Sequence, residues 1–261
     1  MDVGGEIEPT TATGLAAIDL GEVHPATLTD GNEALVVSCR QLRAQSQHTA
    51  KNLARLQQKQ SRHQRGSRRW QRLQRRKNRF LAKQELRHRD LEHKISREVV
   101  NWAVERSIGK LFIGDVRDVA DGKLLSRKSQ QKIGNWSHGK LRRFIGYKAE
   151  AAGLAVDDAV PEHYSSQTCP QCQNRHKPKG RTYRCPACGF GSHRDVVGAS
   201  NILSQVVHGE LGKVRPPEKV TYRHPHYRRS NHYTGKRSSP GHGASSAREK
   251  LHSFSCGRVS R

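Results

Sequence analysis

Residues 169–201 read CPQCQNRHKPKGRTYRCPACGFGSHRDVVGASN, and the rest of the chain is organised around them. Two Cys-Pro-x-Cys pairs, Cys169/Cys172 and Cys185/Cys188, are separated by twelve residues. Each pair places two thiolates on one side of a tight knuckle, and two knuckles close a tetrahedral four-sulfur site of the kind that holds structural Zn²⁺. Pro170 and Pro186 stiffen the turns, and Gly189 follows the second pair, where backbone freedom is useful. Two disulfides or a redox pair are the rival readings. Disulfides need an oxidising compartment, and no signal peptide pattern is visible, so the spacing favours one structural zinc and a cytoplasmic protein. Seven residues after Cys188, Asp195 opens a helical pattern. A carboxylate at a helix start, held by a metal clip, suggests that the knuckles position an active-site residue.

The charge names the partner. Among 261 residues there are 48 Lys and Arg against 23 Asp and Glu, a formal net charge of +25, with only 33% hydrophobic residues. Such an excess predicts a polyanionic partner, and nucleic acid is the obvious one. No run of about 18 apolar residues exists, so no membrane span is expected. Cys39 and Cys256 fall outside the knuckles and read as bystanders.

Residues 1–13 read as a flexible N-terminus. Leu15 to Leu20 reads as a buried strand carrying Asp19, and a carboxylate inside an apolar strand is costly unless it is paired or binds a cation. Val23 to Leu28 and Leu35 to Val37 read as two further strands around a turn at residues 29–32. Residues 40–106 change character. Between Glu33 and Glu85 there is no acidic residue and there are fifteen Lys or Arg. Two long helices broken at Gly66-Ser67 are predicted, the second anchored by the stripe Leu91, Ile95, Val99 and Trp102. A merely solvated face mixes signs, whereas Gln57 to Lys83 has no negative charge. Arg62, Arg65, Arg68, Arg69, Arg72, Arg75, Arg76, Lys77, Arg79 and Lys83 are therefore read as contacts to a phosphate backbone.

Leu111 to Ile113 reads as a short buried strand ending at Gly114-Asp115. A polar loop is expected over 122–138, a helix over Lys140 to Ala152, and a strand over Leu154 to Val160 leading to Glu162. The knuckles follow at 165–192, and Asp195 to Val207 reads as a helix. Residues 209–261 are basic and poor in apolar residues, with twelve Lys or Arg against two Glu from Gly212 onward, and read as a disordered tail.

The stretches AAIDLGEVHPAT (16–27), HKISREVV (93–100), LFIGDVRD (111–118), SSQTCPQC (165–172) and YRCPACGFGSHRDVVGASNIL (183–203), in this order, resemble the TnpB family. These are the OrfB proteins of certain bacterial insertion sequences, related to the Fanzor proteins and to type V CRISPR effectors. The resemblance covers roughly residues 14–205. It implies an α/β protein with a split RuvC-like nuclease domain of the RNase H fold over 14–164. The basic helices would be inserted in that domain, a zinc ribbon would follow at 165–192, and the last catalytic motif with its helix at 193–208. It also implies a DNA endonuclease guided by a transposon-encoded RNA, in a bacterial or archaeal cytoplasm.

Three departures follow. The family's guide-binding N-terminal part would precede the first nuclease motif, and here the chain begins almost at that motif, so a fragment is expected. Gly114 stands where the second motif usually has Glu. The last motif, commonly Asp-Arg-Asp-x-Asn, here reads His193-Arg194-Asp195-Val196-Val197. A RuvC-like site needs about three or four carboxylates around two Mg²⁺ ions roughly 4 Å apart. Asp19 and Asp195 match two positions. For the third, Asp115 lies one residue from the missing Glu, but a one-residue shift turns a strand side chain to the other face. Glu162 is the preferred candidate, and some family members similarly supply a Glu from this strand. A nuclease-dead nucleic-acid-binding protein and an inactive transposon relic are the alternatives.

Overall fold

The computed structural model describes residues 9–117, 126–134 and 136–226. Among these residues, eight strands and five helices run in the order β1 (Gly14–Asp19), β2 (Ala26–Thr29), β3 (Glu33–Val37), α1 (Arg40–Ser61), α2 (Arg68–Glu105), β4 (Ile108–Asp115), α3 (Arg127–Gly134), α4 (His138–Glu150), β5 (Ala155–Pro161), β6 (Thr182–Arg184), β7 (Gly191–His193), α5 (Arg194–His208) and β8 (Lys219–Arg223). Six strands form a mixed, mostly parallel sheet ordered β5-β4-β1-β2-β3-β8, and β6 pairs with β7 in a separate hairpin. The hairpin β1-β2-β3 is antiparallel, whereas β4 lies parallel to β1.

Alternation along the strands sorts the core into two faces. Ala16, Ile18, Leu28, Leu35, Leu111 and Ile113 point to one side, where they pack on α2 through Leu91, Ile95, Val99 and Trp102 and on α4 through Leu141 and Ile145. The predicted stripe on α2 is thus the sheet-facing face of that helix. Ala17, Phe112 and Val160 point to the other side and meet Ile202 and Leu203 of α5. Asp19 and Gly114 each lie two residues beyond Ala17 and Phe112, so they belong to the α5 face.

The basic insertion is a helical hairpin. Gly66, at φ +86°, makes the break, and the Ser67 hydroxyl caps α2 by accepting from Trp70 N–H. Gln60 donates to Gln74 across the hairpin at 2.8 Å, and Gln45 bonds Gln84 nearer the sheet. The apolar burial on α2 is confined to its second half, from Leu91 on, and α1 meets the core only through Leu42 at its start, so the first half of α2 and the rest of α1 project from the sheet.

Several boundaries differ from the sequence reading. The second strand begins at Ala26, not Val23, because the chain turns over residues 21–25. A Cβ on Gly21 would lie 2.7 Å from the carbonyl oxygen of His24, so only glycine fits that turn. The expected polar loop contains α3, where Arg, Lys and Gln favour helix despite the lack of an apolar stripe. The tail is corrected at its start. Lys219–Arg223 is an edge strand, parallel to β3 with Val36 opposite Tyr222, and its Val, Thr and Tyr suit a half-buried sheet edge. The flexible N-terminus is corrected at residues 9–13: Thr10 N–H donates to the Gly153 carbonyl at 3.0 Å, and the Ala12 carbonyl lies so close to Gly109 that a Cβ there would clash. The readings for residues 1–8 and 227–261 lie outside the described residues. No helix among the described residues is long and apolar enough to cross a membrane.

Candidate active site and metal centre

Three carboxylates converge where β1, β5 and α5 meet. Asp19 ends β1. A Cβ on Gly198 would lie 2.5 Å from Asp19 Oδ2, so the carboxylate rests on the bare backbone of the first turns of α5. Gly198 is what allows that approach, because any side chain would displace the carboxylate. Burial, reinforced by the negative charges of Glu162 and Asp195, pushes the Asp19 carboxyl well above the usual range, while Arg194 and Arg181 pull it back. Asp195, in the first turn of α5, is buried. Its carboxylate accepts from Arg181 Nη1 at 3.1 and 3.2 Å.

Glu162 reaches the same face through a strand irregularity. Phe112 lies opposite Asp157, but Gly114 lies opposite Val160, so β5 holds one extra residue between these pairs. The bulge advances the parity of β5 by one and turns Val160, and with it Glu162, toward α5. Glu162 Oε2 is buried directly over Gly114, where a Cβ would lie 2.8 Å away. Asp115, one residue on, faces the opposite side. Its carboxylate is held by Arg117 and lies 3.7 Å from Arg142 of α4, which keeps it below the usual carboxylate range. The glycine in place of the second-motif Glu is therefore the floor on which Glu162 lies.

The two knuckles stand beside this face. Cys169 and Cys188 sulfurs are 3.7 Å apart, Cys172 and Cys185 are 3.5 Å apart, and all four lie within 4.8 Å of one another. Burial raises the Cys185 thiol, but N–H groups of Cys188 and Ala187 and the neighbouring thiols outweigh it and bring it to about 6. This cluster could hold a metal ion. The hairpin β6-β7 pairs Thr182 with His193, and Arg194 N–H donates to Arg181 O at 2.8 Å. The hairpin thereby sets the direction from which α5 starts. Asn201, buried on α5, ties the helix to the knuckles: its amide donates to the carbonyls of Ser165 and Thr168 at 2.5 and 2.9 Å, and its oxygen accepts from Gly212 N–H at 2.9 Å.

Sequence reasoning missed two histidines here. His24, from the turn after β1, and His193, at the start of α5, form a second group with Asp195 whose ligand atoms all lie within 4.8 Å. His24 is pushed down to about 4 by burial, and His193 is also lowered by burial. Tyr222 of β8 stands edge-on to His193 at 6.3 Å, so the corrected tail walls the site. The available signal was His193 in the slot of the lost Asp, but nothing local pointed to His24.

On the projecting hairpin, nine of the ten basic residues singled out are exposed, and Lys77 is half-buried with its ammonium 3.5 Å from Gln60 Oε1. Among the described residues none of the ten enters an ion pair.

Two family models match: OrfB_IS605, described as "Probable transposase", over residues 1–120, and the Cas12f1-like TNB domain over residues 138–202. A TnpB-like protein of Methanocaldococcus jannaschii is 30% identical over 50% of this chain and 46% of its own length. The CRISPR-associated endodeoxyribonuclease Cas12f1 of Sulfoacidibacillus thermotolerans is 33% identical over 42% of this chain and 25% of its own length. The chain thus spans less than half of either relative. Among solved structures, a CRISPR–Cas12f ternary complex shares the fold with a TM-score of 0.57 at 17% identity, over 81% of this chain and 41% of that one.

Proposed function

We propose that the chain, which matches family models of the TnpB/OrfB group over residues 1–120 and 138–202, is the RuvC-like nuclease part of an RNA-guided DNA endonuclease of that family, with Asp19, Glu162 and Asp195 as its metal-binding carboxylates. The observation that carries this reading is the convergence of three acidic groups from separate elements onto one face, where burial first, and then the charges of Glu162 and Asp195, raise Asp19 above its ordinary range. Protein interiors do not gather like charges without a use for them, and divalent cations are the common one. The oxygen donor set fits Mg²⁺.

Two Mg²⁺ ions bound there would activate a water and stabilise the leaving oxygen of a phosphodiester. The chain's own residues fix that geometry: Gly198 and Gly114 leave room for Asp19 and Glu162, and the hairpin β6-β7 orients Asp195. The four cysteines fit structural Zn²⁺, since a tetrahedron with Zn–S of about 2.3 Å has edges of about 3.8 Å, close to the 3.5 and 3.7 Å separations. The basic hairpin α1-α2 is the nucleic-acid contact, for DNA and for a guide RNA.

The test co-expresses the chain with the DNA flanking its own gene, so that any RNA encoded there is captured. Mg²⁺-dependent DNA cleavage by that complex should vanish in Asp19→Ala, Glu162→Ala and Asp195→Ala, and persist in Asp115→Ala. Cleavage that survives Glu162→Ala but not Asp115→Ala would remove Glu162 from the site. A complex that binds nucleic acid and never cuts would leave a binding protein, the reading that the basic hairpin alone supports.

A further inference from the structure

We propose a second metal site, distinct from the four cysteines, formed by His24, His193 and Asp195 and selective for a d-block divalent cation such as Zn²⁺ or Co²⁺ over Mg²⁺. Two segments distant in sequence supply it: the turn after β1, and the junction of β7 with α5, where the last residue of the strand and the first turn of the helix each give a ligand. One ligand atom from each side chain lies within 4.8 Å of the others. His24 Nε2 is 3.9 Å from Asp195 Oδ2. The two rings meet edge to face with centroids 5.3 Å apart. A four-coordinate ion with bonds of about 2.0–2.1 Å needs ligand atoms about 3.3 Å apart. The side chains must therefore close by an ångström or so.

A second observation points to a ligand. The Nδ1 atoms of both His24 and His193 are buried without a hydrogen-bond partner among the described residues. A buried imidazole nitrogen ordinarily has one, because leaving it bare costs the full desolvation of a polar atom. His24 presents Nε2 to the carboxylate and His193 one ring nitrogen, so the group is a donor set of two imidazoles and one oxygen, and the bare Nδ1 atoms show that neither ring is held by hydrogen bonds to the protein at that nitrogen. Imidazole donors select Zn²⁺, Co²⁺ and their neighbours, whereas Mg²⁺ keeps to oxygen. The local backbone is committed to this arrangement: Gly21 lets His24 fold back over the strand end, and Tyr222 backs the His193 ring.

Arg181 is the competitor. Its guanidinium is the cation that Asp195 now faces, at 3.1 Å, and its side chain is 46% exposed. It can swing into solvent when a metal ion arrives. Arginine and metal therefore exclude each other at Asp195, and removing the arginine must favour the metal. The site does not depend on nuclease activity, since binding is measured directly.

The experiment titrates Co²⁺ into the full chain with its cysteines already zinc-filled, followed by calorimetry and by the visible absorption of the bound ion, with zinc retention checked by metal analysis. We expect a Co²⁺ site beyond the cysteines that persists in Asp19→Ala and Glu162→Ala, and so is not the carboxylate site proposed above. His24→Gln and His193→Gln should each weaken it tenfold or more, as even loss of a ligand's supporting partner typically does. Arg181→Gln should tighten it, a direction that damage to the fold cannot produce. Mg²⁺ binding should be the same in the unmodified chain and in His24→Gln. The proposal fails if Co²⁺ binds His24→Gln and His193→Gln as tightly as the unmodified chain, if no Co²⁺ binds once the cysteines are filled, or if Arg181→Gln weakens binding. Should the histidine variants not fold, the absorption of the bound Co²⁺ decides: the intense bands of a four-coordinate ion support the histidine site, and the weak bands of an all-oxygen, six-coordinate ion overturn it.

Discussion

Gly114→Ala tests the placement of Glu162 without reference to catalysis. A Cβ at position 114 would lie 2.8 Å from Glu162 Oε2, 2.8 Å from Ile202 Cδ1 and 3.4 Å from Glu162 Cβ. Ordinary contacts of such atoms are about 3.5–4.0 Å, so both ends must retreat by roughly 0.7 Å or more. Overpacking of this kind costs about 1–3 kcal/mol. Part of that cost belongs to the carboxylate and part to Ile202, and a double-mutant cycle separates them. In a Glu162→Ala background the oxygen contact is gone, so Gly114→Ala should cost less there, by about 0.5–1.5 kcal/mol. The measurement is urea unfolding of the zinc-loaded, Mg²⁺-free protein, followed by circular dichroism. Costs that add to within about 0.3–0.5 kcal/mol would refute the contact. The functional counterpart is a relocated glutamate. Gly114→Ala should lower cleavage about a hundredfold by displacing a ligand by up to an ångström. Gly114→Glu combined with Glu162→Ala should recover part of the activity that each change alone removes.

Three further outcomes are expected. Cys169→Ser or Cys188→Ser should lose one bound zinc per chain and unfold residues 165–205, since the metal's binding energy is folding energy there, which metal analysis and limited proteolysis will show. Charge reversal at Arg72, Arg75, Arg76 and Arg79 should weaken binding to all DNA sequences alike and flatten the slope of log affinity against log salt by about 3 to 4, as each lost phosphate contact contributes about 0.9; an unchanged slope would acquit the hairpin. Because the folded-state pKa of Asp19 is raised, the native state holds its proton more tightly than the unfolded chain does. Stability in the absence of divalent ions should therefore fall as pH rises from the ordinary carboxylate value toward the raised one. Asp19→Asn should remove that fall and stabilise the metal-free protein at neutral pH, with no gain below the carboxylate range; thermal melts across pH check it.

By itself, the sequence determined what depends on neighbours along the chain. The Cys-Pro-x-Cys spacing dictates the knuckles because each pair is one tight turn. The three- and four-residue steps from Leu91 to Trp102 dictate which face of α2 is buried, and the acid-free run to Lys83 dictates a basic projection. Asp19 was legible because a carboxylate ending an apolar strand has few alternatives. Tertiary structure decided everything that depends on register between distant segments. Whether Glu162 or Asp115 faces the site turns on a single extra residue in β5 opposite Phe112 and Gly114, and a one-residue change of parity leaves no trace in hydrophobic pattern when neither residue is apolar. Lys219–Arg223 is a strand only because the edge of β3 offers it a ladder; alone it has too little apolar surface to fold. His24 and His193 lie far apart in sequence, and only the parallel return of β4 and the docking of α5 on β1 bring them to one carboxylate.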